Sequence, residues 1–358
     1  MRRSGSIHRR FARLAGVAPV LVALGCPAAP LPEDPYVAEV TRAAREERAN
    51  RYAEAANAYE HAATLTSDEM VARTAEYRAA QAAERAGELD RALAMYLALA
   101  DEHPGTTEAG RGLYDAAMLT HELGRDDDAI GLFRRMIREE PDAALTEVAV
   151  RRLVQIYTEG ERLPELERVL GEEIAAGGDR EVVAVLYYFR AQVRADLDRP
   201  REACADLESG LERCAYPYCS FWDDLPWQGA RIARAAGDYA KAIEWLDRLL
   251  ATKEECWFNG SYYSAYYDDA QRMKAEILRD DLNEPEEAAK AFLELEDFTD
   301  SLLRDDGVYE AALVYLDRLS DAARGCAALR DLLENYPDSN HRTAAEERLA
   351  RPPCTGSR

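Results

Sequence analysis

A chain whose turn residues return every 36 to 39 positions is restricted to a fold built from stacked copies of one small unit. Gly87, Gly124 and Gly160 stand 37 and 36 residues apart, Asp198 follows 38 later, and Gly237 follows 39 after that. Around these marks the text recurs. Ala86-Gly87-Glu88-Leu89-Asp90-Arg91-Ala92-Leu93 matches Leu123-Gly124-Arg125-Asp126-Asp127-Asp128-Ala129-Ile130 in kind, and Ala236-Gly237-Asp238-Tyr239-Ala240-Lys241-Ala242-Ile243 repeats the theme. Each unit carries a helical pattern, a tight turn, a small Ala five residues on and an aromatic residue or Leu four further. A period of this length, with no strand-rich segment between units, predicts an all-α solenoid in which each hairpin buries its face only against its neighbours.

The residues that recur have separable physical jobs. Gly supplies the turn, Ala92 and Ala129 let helices approach closely, Tyr96 and Phe133 fill the space between hairpins, and Pro104 and Pro141 stop the second helix. Gly87, Ala92, Tyr96, Leu99 and Pro104, and likewise Gly124, Ala129, Phe133, Met136 and Pro141, resemble the second half of the tetratricopeptide repeat. The resemblance extends over residues 36–350 as about eight hairpins. Tyr52, Ala55 and Tyr59 serve the first; Ala203 with Leu207, Ala242 with Leu246, and Ala288 with Phe292 serve later ones. The fourth unit departs by placing Glu165 where the small Ala belongs. The seventh is stretched by Phe258–Ser264, and the first-helix signature Trp…Leu-Gly is largely missing. The stretch 340–350 reads as a polar capping helix, followed by a tail at 351–358.

In that family the first helix of each hairpin lines a concave face. Ten residues before the turn marks stand Tyr77, Tyr114, Tyr188 and Trp227, with Val150 and Met273 in the fourth and seventh units. Arg111, His121, Gln192, Arg231 and Arg234 are expected beside them. An aromatic ladder interleaved with Arg suits a peptide or polypeptide segment; the same rings also suit packing between adjacent first helices. A second concentration is local. Trp222, Trp227, Trp245 and Trp257 fall close together, and Tyr262, Tyr263, Tyr266 and Tyr267 follow; this cluster reads either as a partner site or as a thick core.

Residues 1–25 form a different kind of segment. Arg2, Arg3, Arg9, Arg10 and Arg13 precede an apolar run ending Leu21-Val22-Ala23-Leu24-Gly25-Cys26. A basic start, a short apolar stretch and small residues before a cut describe an export signal, too short to span a bilayer as a helix. The run is similar to a bacterial lipoprotein signal, with Cys26 as the acylated residue, although Ala23 and Leu24 depart from that pattern. If Cys26 is not acylated, the expectation becomes a soluble periplasmic protein. Residues 26–35, with Pro27, Pro30, Pro32 and Pro35, read as a stiff tether.

The chain has a formal net charge of −23, and losing residues 1–25 leaves an excess of 28 acidic residues. Such a surface repels nucleic-acid phosphates and anionic headgroups, which excludes nucleic acid as a partner class. Six Cys remain beyond Cys26, an even number suited to an oxidising compartment. Cys326 and Cys354 are placed to tie the tail to the last hairpin; two of Cys214, Cys219 and Cys256 are placed to pair; Cys204 reads as a buried free thiol.

Residues that carry chemistry are scattered. His61, His103, His121 and His341 lie in different units, no phosphate loop or nucleophile elbow occurs, and Asp126-Asp127-Asp128 sits where acids cap a helix start. The expectation is therefore a non-enzymatic envelope lipoprotein without cofactor or metal, acting as a scaffold for a protein or peptide. Two other readings stay open: a subunit of an outer-membrane assembly or secretion complex, and a module that binds cell-wall glycan.

Overall fold

A computed structural model describes residues 34–139, 143–178, 181–214, 216–253 and 264–356. Seventeen α-helices and no strand occur among the described residues. They pair in chain order into eight antiparallel hairpins. The first four are α1 (Pro35–Arg48) with α2 (Tyr52–Thr64), α3 (Glu69–Arg85) with α4 (Leu89–Glu102), α5 (Thr107–Glu122) with α6 (Asp126–Glu139), and α7 (Ala143–Glu159) with α8 (Leu163–Gly177). Next come α9 (Val182–Asp196) with α10 (Pro200–Leu211) and α11 (Asp224–Ala235) with α12 (Tyr239–Leu250). The last two are α13 (Tyr267–Glu276) with α14 (Pro285–Leu293) and α15 (Arg304–Leu313) with α16 (Ala322–Asn335); α17 (Arg342–Leu349) closes the array. The all-α solenoid with a capping helix expected from the repeat is the fold observed.

The period is more regular than the sequence marks suggest. Every hairpin turn contains one residue with positive φ: Asn50, Gly87, Gly124, Glu161, Asp198, Gly237, Asn283 and Ser320. From Asn50 to Asp198 these recur every 37 residues; the next intervals are 39 and 46, and the last returns to 37. Gly160 is not the turn residue of the fourth hairpin. Its N–H still bonds the Ile156 carbonyl as part of the helix, while Glu161 takes the left-handed conformation and the Arg162 N–H closes the turn on the Tyr157 carbonyl at 2.8 Å. The same closing bond joins Glu88 to Ala83, Arg125 to Thr120, Arg199 to Arg194 and Asp238 to Ala233, a C-terminal cap that satisfies free helix carbonyls.

Hairpins 7 and 8 carry one extra residue in the last turn of their first helix. Ile277–Asp281 and Val314–Arg318 are π-helical, and the Glu284 and Asp321 N–H groups reach back to Leu278 and Tyr315, one residue further than in the other turns. Everything upstream is shifted by one position relative to the turn. Burial confirms the shift: Ala275, Ile277 and Leu278, like Ala312, Val314 and Tyr315, occupy the inward positions held by Ala117, Leu119 and Thr120 in hairpin 3.

Small residues at the expected positions are wholly buried: Ala92, Ala129, Ala203, Ala242 and Ala288. Tyr96, Phe133, Leu207, Leu246 and Phe292 fill the spaces they leave. In hairpin 4, Glu165 stays outside and pairs with Arg162 at 2.8 Å, while Leu166, Val169 and Leu170 make the core contacts. Ion pairs also link successive second helices. Buried Glu173 on α8 receives Arg134 and Arg138 of α6, each at 2.6 Å. Lys241 and Arg248 of α12 hold Glu208 of α10 at 2.9 and 2.6 Å. Disulfides join Cys214 to Cys219 and Cys326 to Cys354, with Cα separations of 5.1 and 5.6 Å. The second fixes the tail beside the last hairpin, as the sequence suggests. Cys204 is a free thiol, half-buried where full burial is expected. No helix among the described residues is long and apolar enough to cross a membrane.

Candidate interaction surface

The first helices bring the ladder residues into one column, and each reaches toward the next hairpin. The Tyr77 hydroxyl donates to Asp115 at 2.6 Å. Tyr114 packs edge-on against Phe133 and accepts from the Arg152 Nε at 3.3 Å. Tyr188 meets Phe221 at 5.0 Å between centroids, and Trp227 stacks on Tyr266 at 5.2 Å with an interplanar angle of 11°. All four are half-buried. One side of each ring is thus used to register neighbouring hairpins, and part of each ring stays open to solvent.

The one-residue displacement of the fourth turn changes one rung. Val150 is fully buried in the core; counted from Glu161, the column position belongs to Arg151. Its guanidinium lies 5.5 Å from the ring centroids of both Phe189 and Phe221. The π-helical turns likewise assign the seventh and eighth rungs to Arg272 and Tyr309 rather than Met273 and Glu310. Tyr309 stacks on His341 of the capping segment at 4.2 Å, and His341 Nε2 lies 2.6 Å from Asp306. A period counted from Asn50 in steps of 37 finds Arg151 in the sequence; the π-turns leave no comparable sign.

The three Arg singled out from the sequence have different environments. Arg234 is held by Glu276 at 3.0 Å and Asp281 at 3.3 Å, so its charge links hairpins 6 and 7. Arg111 and Arg231 are exposed and make no ion pair among the described residues. Arg231 donates a hydrogen bond to the neutral Gln228 side chain at 3.3 Å. It stands between two open clefts. One, of about 330 Å³, includes Asp196, Asp198 and Ile232; the other, of about 390 Å³, includes Arg234, Tyr239 and Met273.

Two carboxylates on this face are shifted by their surroundings. Burial raises Asp115 above the ordinary Asp value, against the lowering effect of the Tyr77 hydrogen bond. Burial does the same to Asp224, against the bond it accepts from Tyr266 at 2.8 Å.

The aromatic cluster divides. Trp245 is entirely buried, with Lys241 and Arg248 over its ring, so it is core. Trp222 is half-buried and packs edge-on against Tyr216 at 4.9 Å. Trp257, Tyr262, Tyr263 and Cys256 lie outside the described residues, as do Cys26 and the export segment. No group of three or more His, Cys, Asp or Glu side chains suited to a metal occurs among the described residues.

The model of the tetratricopeptide repeat matches residues 74–106 and 306–339, which cover most of hairpins 2 and 8. Those two segments are tetratricopeptide repeats. Several solved structures are similar to the chain at low identity. The MamA protein is 16% identical, covering 54% of this chain and 94% of its own, with a TM-score of 0.36. The pilF protein of Pseudomonas aeruginosa is 13% identical over 65% and 95%, at 0.36. The C-terminal part of a tetratricopeptide-repeat protein from Cytophaga hutchinsonii is 12% identical over 86% and 98%, at 0.41. No curated protein matches the sequence.

Proposed function

We propose that the protein is a non-enzymatic scaffold of the bacterial envelope that holds a polypeptide partner along the groove of its first helices, and that Cys26 is acylated and anchors it. The observation that carries the groove reading is the pairing of half-buried rings with Arg111 and Arg231, both exposed and without an ion pair among the described residues, on a chain whose charge is −23. Rigid aromatic surface beside guanidinium groups is the composition of interface hot spots. Two disulfides in the fold agree with export to an oxidising compartment, where such bonds persist. Membrane attachment comes from the acyl chains, since the acidic surface has no electrostatic attraction to anionic lipid.

Two experiments separate the parts of this reading. Metabolic palmitate labelling of the wild type, lost in Cys26→Ser, supports the anchor; an unlabelled wild type removes it and leaves a soluble exported scaffold. Capture of solubilised envelope proteins tests the groove. Recovery that drops about tenfold or more in the Arg111→Ala/Trp227→Ala double variant, whose melting temperature is checked in parallel, supports it. Unchanged recovery with an intact fold rejects it.

A further inference from the structure

We infer that the partner segment places an acidic side chain on Arg231 and a basic one about three residues away on Asp196 and Asp198. This deepens the groove reading and rests on it.

The two Arg of α11 show the contrast. Arg234, one turn from Arg231, is neutralised by Glu276 and Asp281 of the following hairpin. Arg231 has no carboxylate within ion-pair distance among the described residues, in a chain where Asp and Glu number 68 against 45 Lys and Arg. Its side chain lines both clefts, and the wall of the first carries Asp196 and Asp198, both exposed and without an ion pair among the described residues. Within one cleft of about 330 Å³ the surface therefore changes from negative at the turn of hairpin 5 to positive on hairpin 6. In the second cleft the Arg234–Asp281 pair is already closed and Met273 and Tyr239 supply apolar surface.

The spacing follows from packing. Adjacent helices stand roughly 8–10 Å apart, and an extended strand advances about 3.3 Å per residue. A segment crossing from hairpin 5 to hairpin 6 thus meets the two charged positions with residues about three apart, and a small apolar residue beyond the acid reaches the second cleft. Charge-assisted bonds from a guanidinium to a carboxylate are the stronger kind, and opposite signs on one wall fix the direction of the segment as well as its position.

The test uses the full-length protein and a fluorescein-labelled probe peptide, Ac-Gly-Lys-Ser-Ser-Glu-Ser-Leu-Gly-NH2, whose blocked ends remove terminal charge. Fluorescence polarisation should detect binding that weakens about tenfold or more when the peptide Glu becomes Gln or when Arg231→Gln is introduced. Arg231→Glu should bind a probe with Lys in place of Glu better than it binds the original. A circular dichroism melt of each variant confirms the fold. The inference is overturned if the Gln probe binds as well as the Glu probe, if Arg231→Gln has no effect, or if neither probe binds. In any of those cases, envelope capture that still depends on Arg111 and Trp227 leaves the groove reading standing.

Discussion

At the scale of single residues, glycine positions separate roles that the sequence does not distinguish. Gly229 on α11 has no room for a side chain, because a Cβ there would lie 2.5 Å from Trp245 Cδ2. Gly229→Ala is expected to cost about 2 kcal/mol as overpacking. Gly131 on α6 has nothing within 4 Å of the same position, and Gly131→Ala should gain about 0.5–1 kcal/mol through helix propensity. Urea unfolding of both variants checks this; equal effects of the same sign would contradict the packing described. The fourth turn gives a sharper case. Glu161 has φ +55°, so Glu161→Gly should stabilise by about 0.5–1 kcal/mol, whereas Gly124→Ala, at φ +73°, should destabilise by about 1 kcal/mol. Loss of stability in Glu161→Gly would return the turn to Gly160. Sequence reading erred here because a Gly one residue early is a stronger visible mark than a Glu in a left-handed conformation that Asn or Gly usually adopts.

At the scale of elements, second helices are joined by charge as well as by apolar contact. Glu173 is buried with two guanidiniums on it, and Glu173→Ala is expected to cost about 2 kcal/mol by leaving Arg134 without its buried partner; a change below about 0.5 kcal/mol would assign that joint to packing alone. The same pairs set a pH dependence. Burial alone would raise Glu208, but the bonds from Lys241 and Arg248 outweigh it and its pKa is lowered. Glu286 is lowered by the hydrogen bonds it accepts from Arg324, and Glu202 by those it accepts from Arg199. A lowered folded-state value contributes stability that is present above the unfolded Glu value of 4.5 and is lost as pH falls through the folded value. Asp115 and Asp224, raised by burial, act in the opposite sense, favouring the fold below the unfolded Asp value of 3.8 and losing that contribution as pH rises. The lowered set is larger, so the melting temperature should fall between pH 5 and pH 3, and Glu208→Gln should flatten that fall. A melting temperature that rises over this interval would contradict the arrangement of pairs. The bonds to Glu173, Glu208 and Glu286 are poorly legible in sequence because their partners stand 33 to 40 positions away on different helices, whereas the Ala and aromatic positions that set hairpin packing repeat visibly.

At the scale of the whole molecule, a solenoid has ends, and this one closes its C-terminal end covalently. The Cys326–Cys354 bond spans 28 residues and holds the tail next to α16 and α17. Cys354→Ser is expected to lower stability by roughly 3 kcal/mol. Because neighbouring repeats interact only locally, hydrogen exchange should speed up in α16 and α17 while α5 and α6 stay protected; uniform loss across the chain would contradict a one-dimensional array. The eight hairpins, the cap and the Cys326–Cys354 pairing were accessible from periodicity and Cys position, whereas the choice of Cys214 with Cys219 over Cys256 was left open. The rung at Tyr309 was not accessible, since the extra residue of a π-helical turn moves every upstream side chain one position around its helix without altering the composition of the repeat, and Arg151 is legible only when the period is counted from Asn50 rather than from Gly160. The account turns on which face of the array holds a partner. A photo-crosslinking residue placed in intact cells at Arg111 or Arg231 on the first helices, and at Gly131 on the outer side of α6, measures this directly. The account predicts a discrete crosslinked partner from the first two positions and none from Gly131; a partner captured from Gly131 and absent from both groove positions would contradict it.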